Sequence, residues 1–174
     1  VMSNDLRYVS AKEQQVANMH QVSYQQLYHP TRSVLGRWLS TKPAALKIDG
    51  ILFAHGGIIM GASLKSFNDR VYEYTQAPLF SHLMEQPFDS VSFSQVEREE
   101  QKDYLYDSFG PFWFRGYVQT DTLGSYLDAI LLNNKAKLHV VGHTTVPSIS
   151  SFYNGKLIAT NVPKAGTEML LLTK

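Results

Sequence analysis

Cysteine is absent from this 174-residue chain. Disulfides and thiolate chemistry are therefore excluded, and any metal must be held by nitrogen and oxygen ligands. Charge is sparse and balanced, with 16 Lys and Arg against 15 Asp and Glu and a net charge of +1. That leaves no basic footprint, so no nucleic-acid partner is expected. No apolar run approaches the roughly 18 residues that cross a bilayer, so no membrane partner is expected either. Internal repeats, low-complexity tracts and linkers are missing. So are the G-x-S-x-G elbow and the G-x-x-x-x-G-K-[ST] loop. No serine stands at a strained strand-to-helix turn, and nothing marks Asp121 and Asp128 as an acid/base pair.

What is present suits one soluble globular domain: 44% hydrophobic and 18% charged residues, enough for a sizeable core. The chain opens on Val1-Met2-Ser3 and reads as a fragment or processed product. Its organising stretch is Gly50-Ile51-Leu52-Phe53-Ala54-His55-Gly56-Gly57-Ile58, a short apolar strand that ends in a histidine and two glycines. Open α/β sheets gather polar groups at the carboxyl ends of their strands. Glycine there allows positive φ and close approach to a bound group. The arrangement recurs in Leu138-His139-Val140-Val141-Gly142-His143-Thr144. Two strand-end histidines from distant segments, His55 and His143, suggest one shared site for a metal; the alternative is a pair of buried structural residues. Two histidines also make an incomplete centre, because a catalytic metal usually keeps about three protein ligands. His139 alternates away within its strand and reads as packed or edge-exposed.

Around these strands the pattern predicts the following elements. Ser10-Ala11-Lys12-Glu13 is a capping box opening a helix that extends to Leu27 or Tyr28, before His29-Pro30. His20 and His29 read as surface or cap residues. A short helix covers Val34 to Leu39, and Pro43 closes it. Ala45 to Ile48 and Ile51 to Ala54 form a hairpin about Asp49-Gly50. Ser63 to Tyr74 has helical spacing, Leu79 to Glu85 is a second helical stretch with a surface His82, and Ser94 to Tyr106 is a solvated charged face. Gly110 to Tyr117 is dense in aromatics and carries Arg115. That arginine either stacks on Trp113 in an aromatic plug or is held rigidly for bidentate capture of an oxyanion. Thr120 or Asp121 caps a helix with Leu123, Tyr126, Leu127, Ile130 and Leu131 on its apolar face, ended by Asn133-Asn134. Ile149 to Tyr153 and Lys156 to Thr160 make a hairpin about Asn154-Gly155, and Glu168 to Leu172 is a terminal strand.

His55-Gly56-Gly57, Gly110-Pro111-Phe112-Trp113-Phe114-Arg115-Gly116 and Val141-Gly142-His143-Thr144 resemble, in order and spacing, motifs of the calcineurin-like metallophosphoesterases. They are most similar to those of the bacterial Shewanella-like branch of phosphoprotein phosphatases. Asp5-Leu6-Arg7-Tyr8-Val9 also resembles the segment after that branch's Gly-Asn-His-Glu motif. The likeness spans nearly the whole chain. It implies an α/β fold, the C-terminal part of a four-layer α/β/β/α sandwich of mixed sheets. Residues 1–174 would be the C-terminal half of a single domain, with 62–108 a helical cap over the site.

The resemblance also implies that His55 and His143 are ligands of one ion in a two-metal centre of Mn, Fe or Zn. It implies that Arg115 binds substrate phosphate and that a metal-bridging hydroxide attacks phosphorus in line. The implied activity is phosphomonoester hydrolysis, on a phosphoprotein (at Ser/Thr or Tyr) or a small phosphomonoester. The implied setting is the bacterial cytoplasm or periplasm. The family's Asp-x-His, Gly-Asp-x-x-Asp-Arg and Gly-Asn-His-Glu motifs do not occur in these 174 residues. They would supply the other ligands, a general-acid histidine and a second phosphate-binding arginine. The chain is thus expected to need a complementary N-terminal half and to be inactive alone, with central strands left as exposed edges. The alternative is a non-catalytic binding or regulatory remnant of the same fold. Two further departures are Thr145, where other branches place a last histidine, and Asn161-Val162-Pro163, where the family usually has aspartate and glycine.

Overall fold

The computed structural model describes residues 9–29, 31–59, 62–73, 108–163 and 168–173. Two compact units are distinguished, residues 1–42 with 76–94 and residues 43–75 with 95–174. The predicted second helical stretch with His82, the charged face from Ser94 to Tyr106 and most of the 62–108 cap lie outside the described residues.

In the first unit the predicted long N-terminal helix is two helices, α1 (Ala11–Met19) and α2 (Tyr24–Leu27). The break has a local cause. Gln21 sits at a φ of 53°, and Ser23 opens a second capping box with Gln26, whose side chains exchange hydrogen bonds with each other's backbone N–H. Ser10 and Glu13 form the predicted first box. α3 (Val34–Ser40) is capped by the Ser33 hydroxyl, which accepts from the Gly36 N–H at 2.7 Å. His29 takes the predicted cap role: its Nδ1 accepts from the N–H of Thr31 and of Arg32, both at 3.2 Å.

The second unit is built on a five-stranded mixed sheet of order β1-β2-β3-β5-β4. β1 (Ala45–Ile48) and β2 (Ile51–Ala54) form the predicted hairpin. Its Asp49-Gly50 turn has φ of 49° and 79°, the pair of positive angles that matches strand twist. β3 (Leu138–Val141) lies parallel between β2 and β5 (Leu157–Ala159), and β4 (Ser150–Phe152) runs antiparallel to β5. β3 is buried on both faces, which explains its almost unbroken apolar run.

Residues 64–73 form helix α4. The short α5 (Gly116–Gln119) and the longer α6 (Gly124–Asn133) follow the aromatic segment. Phe67 and Val71 of α4, Tyr117 of α5, and Leu127, Ile130 and Leu131 of α6 share one core with Leu52, Val141, Leu157 and Ala159 of the sheet. Neither Thr120 nor Asp121 caps α6. The helix starts three residues later than Asp121 with Leu123 at its N-cap and no side-chain cap, and the Thr120 hydroxyl takes the Thr122 N–H instead. Tyr126 is exposed rather than part of the apolar face. Asn134 ends α6, and its side chain then ties α6 to α4, accepting from the Leu64 N–H and donating to the Ala62 carbonyl.

The predicted terminal strand is not formed. Residues 168–173 have no regular structure, and Met169 and Leu171 are exposed. A strand needs a backbone ladder as well as apolar residues; here the contact runs through a side chain, the Ile149 N–H donating to the Glu168 carboxylate. Among those residues, no helix is long and apolar enough to cross a membrane.

Candidate metal centre

Parallel pairing of β2 with β3 sets Ala54 beside Val141. The residues that follow, His55 and Gly142-His143, therefore leave the sheet together at the carboxyl ends of these two interior strands. The His55 carbonyl accepts from the N–H of Gly142 at 2.9 Å and of His143 at 2.8 Å, so the two backbones are fastened together. Their rings meet above this junction: His143 Nδ1 lies 3.0 Å from His55 Nε2, with the ring planes 61° apart. The far nitrogen of His143, Nε2, is buried and has no hydrogen-bond partner among the described residues.

The glycines after His55 are there for space and conformation. A Cβ on Gly56 would stand 2.8 Å from the Pro111 carbonyl oxygen and 3.0 Å from the Phe114 nitrogen. The bare backbone thus lets the Gly110–Phe114 turn close against the histidine loop. Gly57 has a φ of 136°, and a Cβ on it would lie 3.1 Å from the Tyr117 ring. The turn itself is held by the Trp113 and Phe114 N–H groups donating to the Gly110 carbonyl. It sets the Trp113 ring edge-on to His143, centroids 5.4 Å apart, and leads into Arg115, which is exposed.

Arg115 acts electrostatically on both histidines. Burial holds the His55 and His143 pKa below the ordinary imidazole value, the Arg115 guanidinium pushes each further down, and for His143 the neighbouring His55 adds to it. Both shifts favour the neutral ring, the form that ligates metal. The facing nitrogens fit one ion as well: two donors each about 2.0–2.1 Å from a metal are roughly 2.9 Å apart when they subtend about 90°. Among the described residues, no group of three His, Cys, Asp or Glu that could hold a metal ion occurs.

Solved structures with the same fold belong to phosphatases. A cold-active protein-tyrosine phosphatase of a psychrophilic Shewanella species is 25% identical with a TM-score of 0.67, over 92% of this chain and 45% of that chain. Another structure of a cold-active protein tyrosine phosphatase is 25% identical with a TM-score of 0.66, over 92% of this chain and 44% of that one. This chain is similar to phosphatases. It spans less than half the length of those structures. No protein-family model and no curated protein matches it.

Trp113, Asn161 and His139 contribute to the site through contacts that the sequence pattern does not reveal. Trp113 is a wall of the His143 ring. Asn161, noted as a departure from the family, donates from Nδ2 to the His143 carbonyl at 3.1 Å and so holds the backbone of that residue. His139 takes the packed placement of the two expected for it, fully buried in mid-strand, and both of its ring nitrogens are engaged. A polar side chain inside an apolar strand was the available signal, because burial without partners is costly.

Proposed function

We propose that this chain is the C-terminal half of a calcineurin-like metallophosphatase, a phosphomonoester hydrolase acting on a phosphorylated protein. The observation that carries the reading is the 3.0 Å approach of His55 Nε2 and His143 Nδ1 at the ends of adjacent parallel strands, beside an arginine. The likeness to phosphatases supports it. His55 and His143 would hold one divalent ion, Mn, Fe or Zn, and the complementary N-terminal half would supply that ion's remaining ligands and those of the second ion. When bound, such ions polarise phosphoryl oxygens and activate water.

The chain's own residues do the rest. Arg115 presents a planar guanidinium to the phosphate and neutralises its charge through paired hydrogen bonds. The fastening of Gly142 and His143 to the His55 carbonyl fixes the two imidazoles relative to each other. Trp113 limits how far the His143 ring can turn. Alone, this chain lacks the remaining ligands and is inactive.

The test is hydrolysis of p-nitrophenyl phosphate and of a phosphotyrosyl peptide by the complete protein with added Mn²⁺. Activity that disappears in His143→Ala supports the proposal, and undiminished turnover in that variant rules it out.

A further inference from the structure

His55 is bracketed by a single side chain from the neighbouring strand. His139, on β3, has no exposed surface. Its Nδ1 lies 3.3 Å from the carbonyl of Leu52, three residues before His55. Its Nε2 lies 3.1 Å from the N–H of Ile58, three residues after His55. The carbonyl can only accept and the amide can only donate, so the imidazole is neutral, with its proton on Nδ1 and a lone pair at Nε2. Burial holds it in that form, with its pKa lowered to about 4.

The other backbone group of Ile58 is taken as well. The Tyr117 hydroxyl, from α5, donates to the Ile58 carbonyl at 2.9 Å. Tyr117 is also buried, and its ring is the surface that the bare Gly57 backbone packs on. Both polar groups of a fully buried loop residue are therefore satisfied by side chains of two other elements. Left unsatisfied, either would drive the loop to rearrange. Leucine or valine would fill the His139 position of an apolar strand without the cost of burying an imidazole. What histidine adds there is the bridge across the turn.

We propose that His139 and Tyr117 are positioning residues for the metal ligand His55: they clamp Leu52 and Ile58 on its two sides and hold the His55-Gly56-Gly57 turn in the geometry that aims Nε2 at His143. This rests on the reading of His55 and His143 as metal ligands. Loss of the clamp lets the turn relax, so the ligand is present but misdirected. Residues that orient metal ligands typically matter by about 10–100-fold in affinity.

The experiment compares the complete protein with His139→Leu, His139→Gln, Tyr117→Phe and His143→Ala. Mn²⁺ affinity is measured by calorimetry, and exchange of the Gly57 and Ile58 amides is followed in metal-free protein. His139→Leu keeps the volume and removes both hydrogen bonds. It should weaken Mn²⁺ binding at least tenfold and speed amide exchange of the loop. His139→Gln, which retains an acceptor for the Ile58 N–H, should recover part of both, a rescue that a purely space-filling histidine does not give. If His139→Leu does not fold, Tyr117→Phe decides: it loses one hydroxyl and should weaken Mn²⁺ binding several-fold. A folded His139→Leu, or in its absence Tyr117→Phe, with wild-type Mn²⁺ affinity and unchanged loop exchange overturns the clamp while leaving the metal site intact. Wild-type protein that binds no Mn²⁺, or binds it equally well as His143→Ala, overturns the metal site itself.

Discussion

The backbone carbonyl of His55 accepts two hydrogen bonds from the segment that carries His143, one from the Gly142 N–H at 2.9 Å and one from the His143 N–H at 2.8 Å. The two histidines, 88 residues apart in sequence, are thus joined at the main chain before their rings meet. A metal bound between the rings, as proposed, would find its donors already placed, which would reduce the ordering cost of binding.

The glycines around this junction give a graded prediction. Gly57→Ala meets both a positive φ and the Tyr117 ring at 3.1 Å, and should destabilise the protein by about 1–3 kcal/mol. Gly56→Ala drives a Cβ against the Pro111 carbonyl at 2.8 Å and should separate Arg115 from the histidine loop, lowering activity as well as stability. Gly155→Ala has only its φ of 87° to overcome, with no neighbour within 4 Å, and should cost about 1 kcal/mol. Urea unfolding of the three variants checks the order. A Gly57→Ala variant as stable as wild type would show that the loop is not pinned on Tyr117.

Replacing Arg115 separates charge from shape. Arg115→Lys keeps a cation but loses the planar fork, and should lower kcat/KM for a phosphomonoester by about 10–100-fold, the equivalent of about 1.5–3 kcal/mol for a charged hydrogen bond. Arg115→Ala should lose more, and added guanidinium should return part of it. Steady-state kinetics on the complete protein measures this, and kinetics in Arg115→Ala equal to wild type would remove the arginine from the substrate site.

Buried neutral His139 makes stability fall in mild acid. Its pKa, normally 6.5, is lowered to about 4 in the folded state by burial. Between those two values the unfolded chain binds a proton that the folded chain refuses, so stability drops as pH falls through this window and this contribution levels off below it. At about 1.36 kcal/mol for each pH unit the total is roughly 3 kcal/mol. Denaturation at pH 7.5 and at pH 5 should show the loss in wild type and a smaller one in His139→Leu. Identical pH dependence in the two proteins would mean that another group controls the acid limb.

Much of the sheet was legible because short apolar runs stood between strong turn signals. Ala45 to Ile48, Ile51 to Ala54 and Leu138 to Val141 have the expected bounds, and Asp49-Gly50 turns as its residue types require. The meeting of His55 with His143 was legible for the same reason, since both stand one or two residues beyond a strand end. What failed depended on partners. The Ser23–Gln26 capping box lay hidden in a polar stretch, so α1 and α2 read as one helix. Glu168 to Leu172 has strand composition, but its contact with the residue before β4 runs through the Glu168 carboxylate and not through a backbone ladder. His139 could be assigned to a strand, but periodicity does not reveal that the Leu52 carbonyl and the Ile58 N–H lie on either side of its ring.

The proposed function depends on the sharing of one ion by His55 and His143. Its most direct measurement is the metal content of the complete protein after Mn²⁺ loading and desalting, by plasma emission spectrometry, beside the His55→Ala/His143→Ala double variant. Two ions per molecule are expected in wild type and the loss of at least one in the variant, with its secondary structure retained. Equal metal content in the two proteins would contradict it.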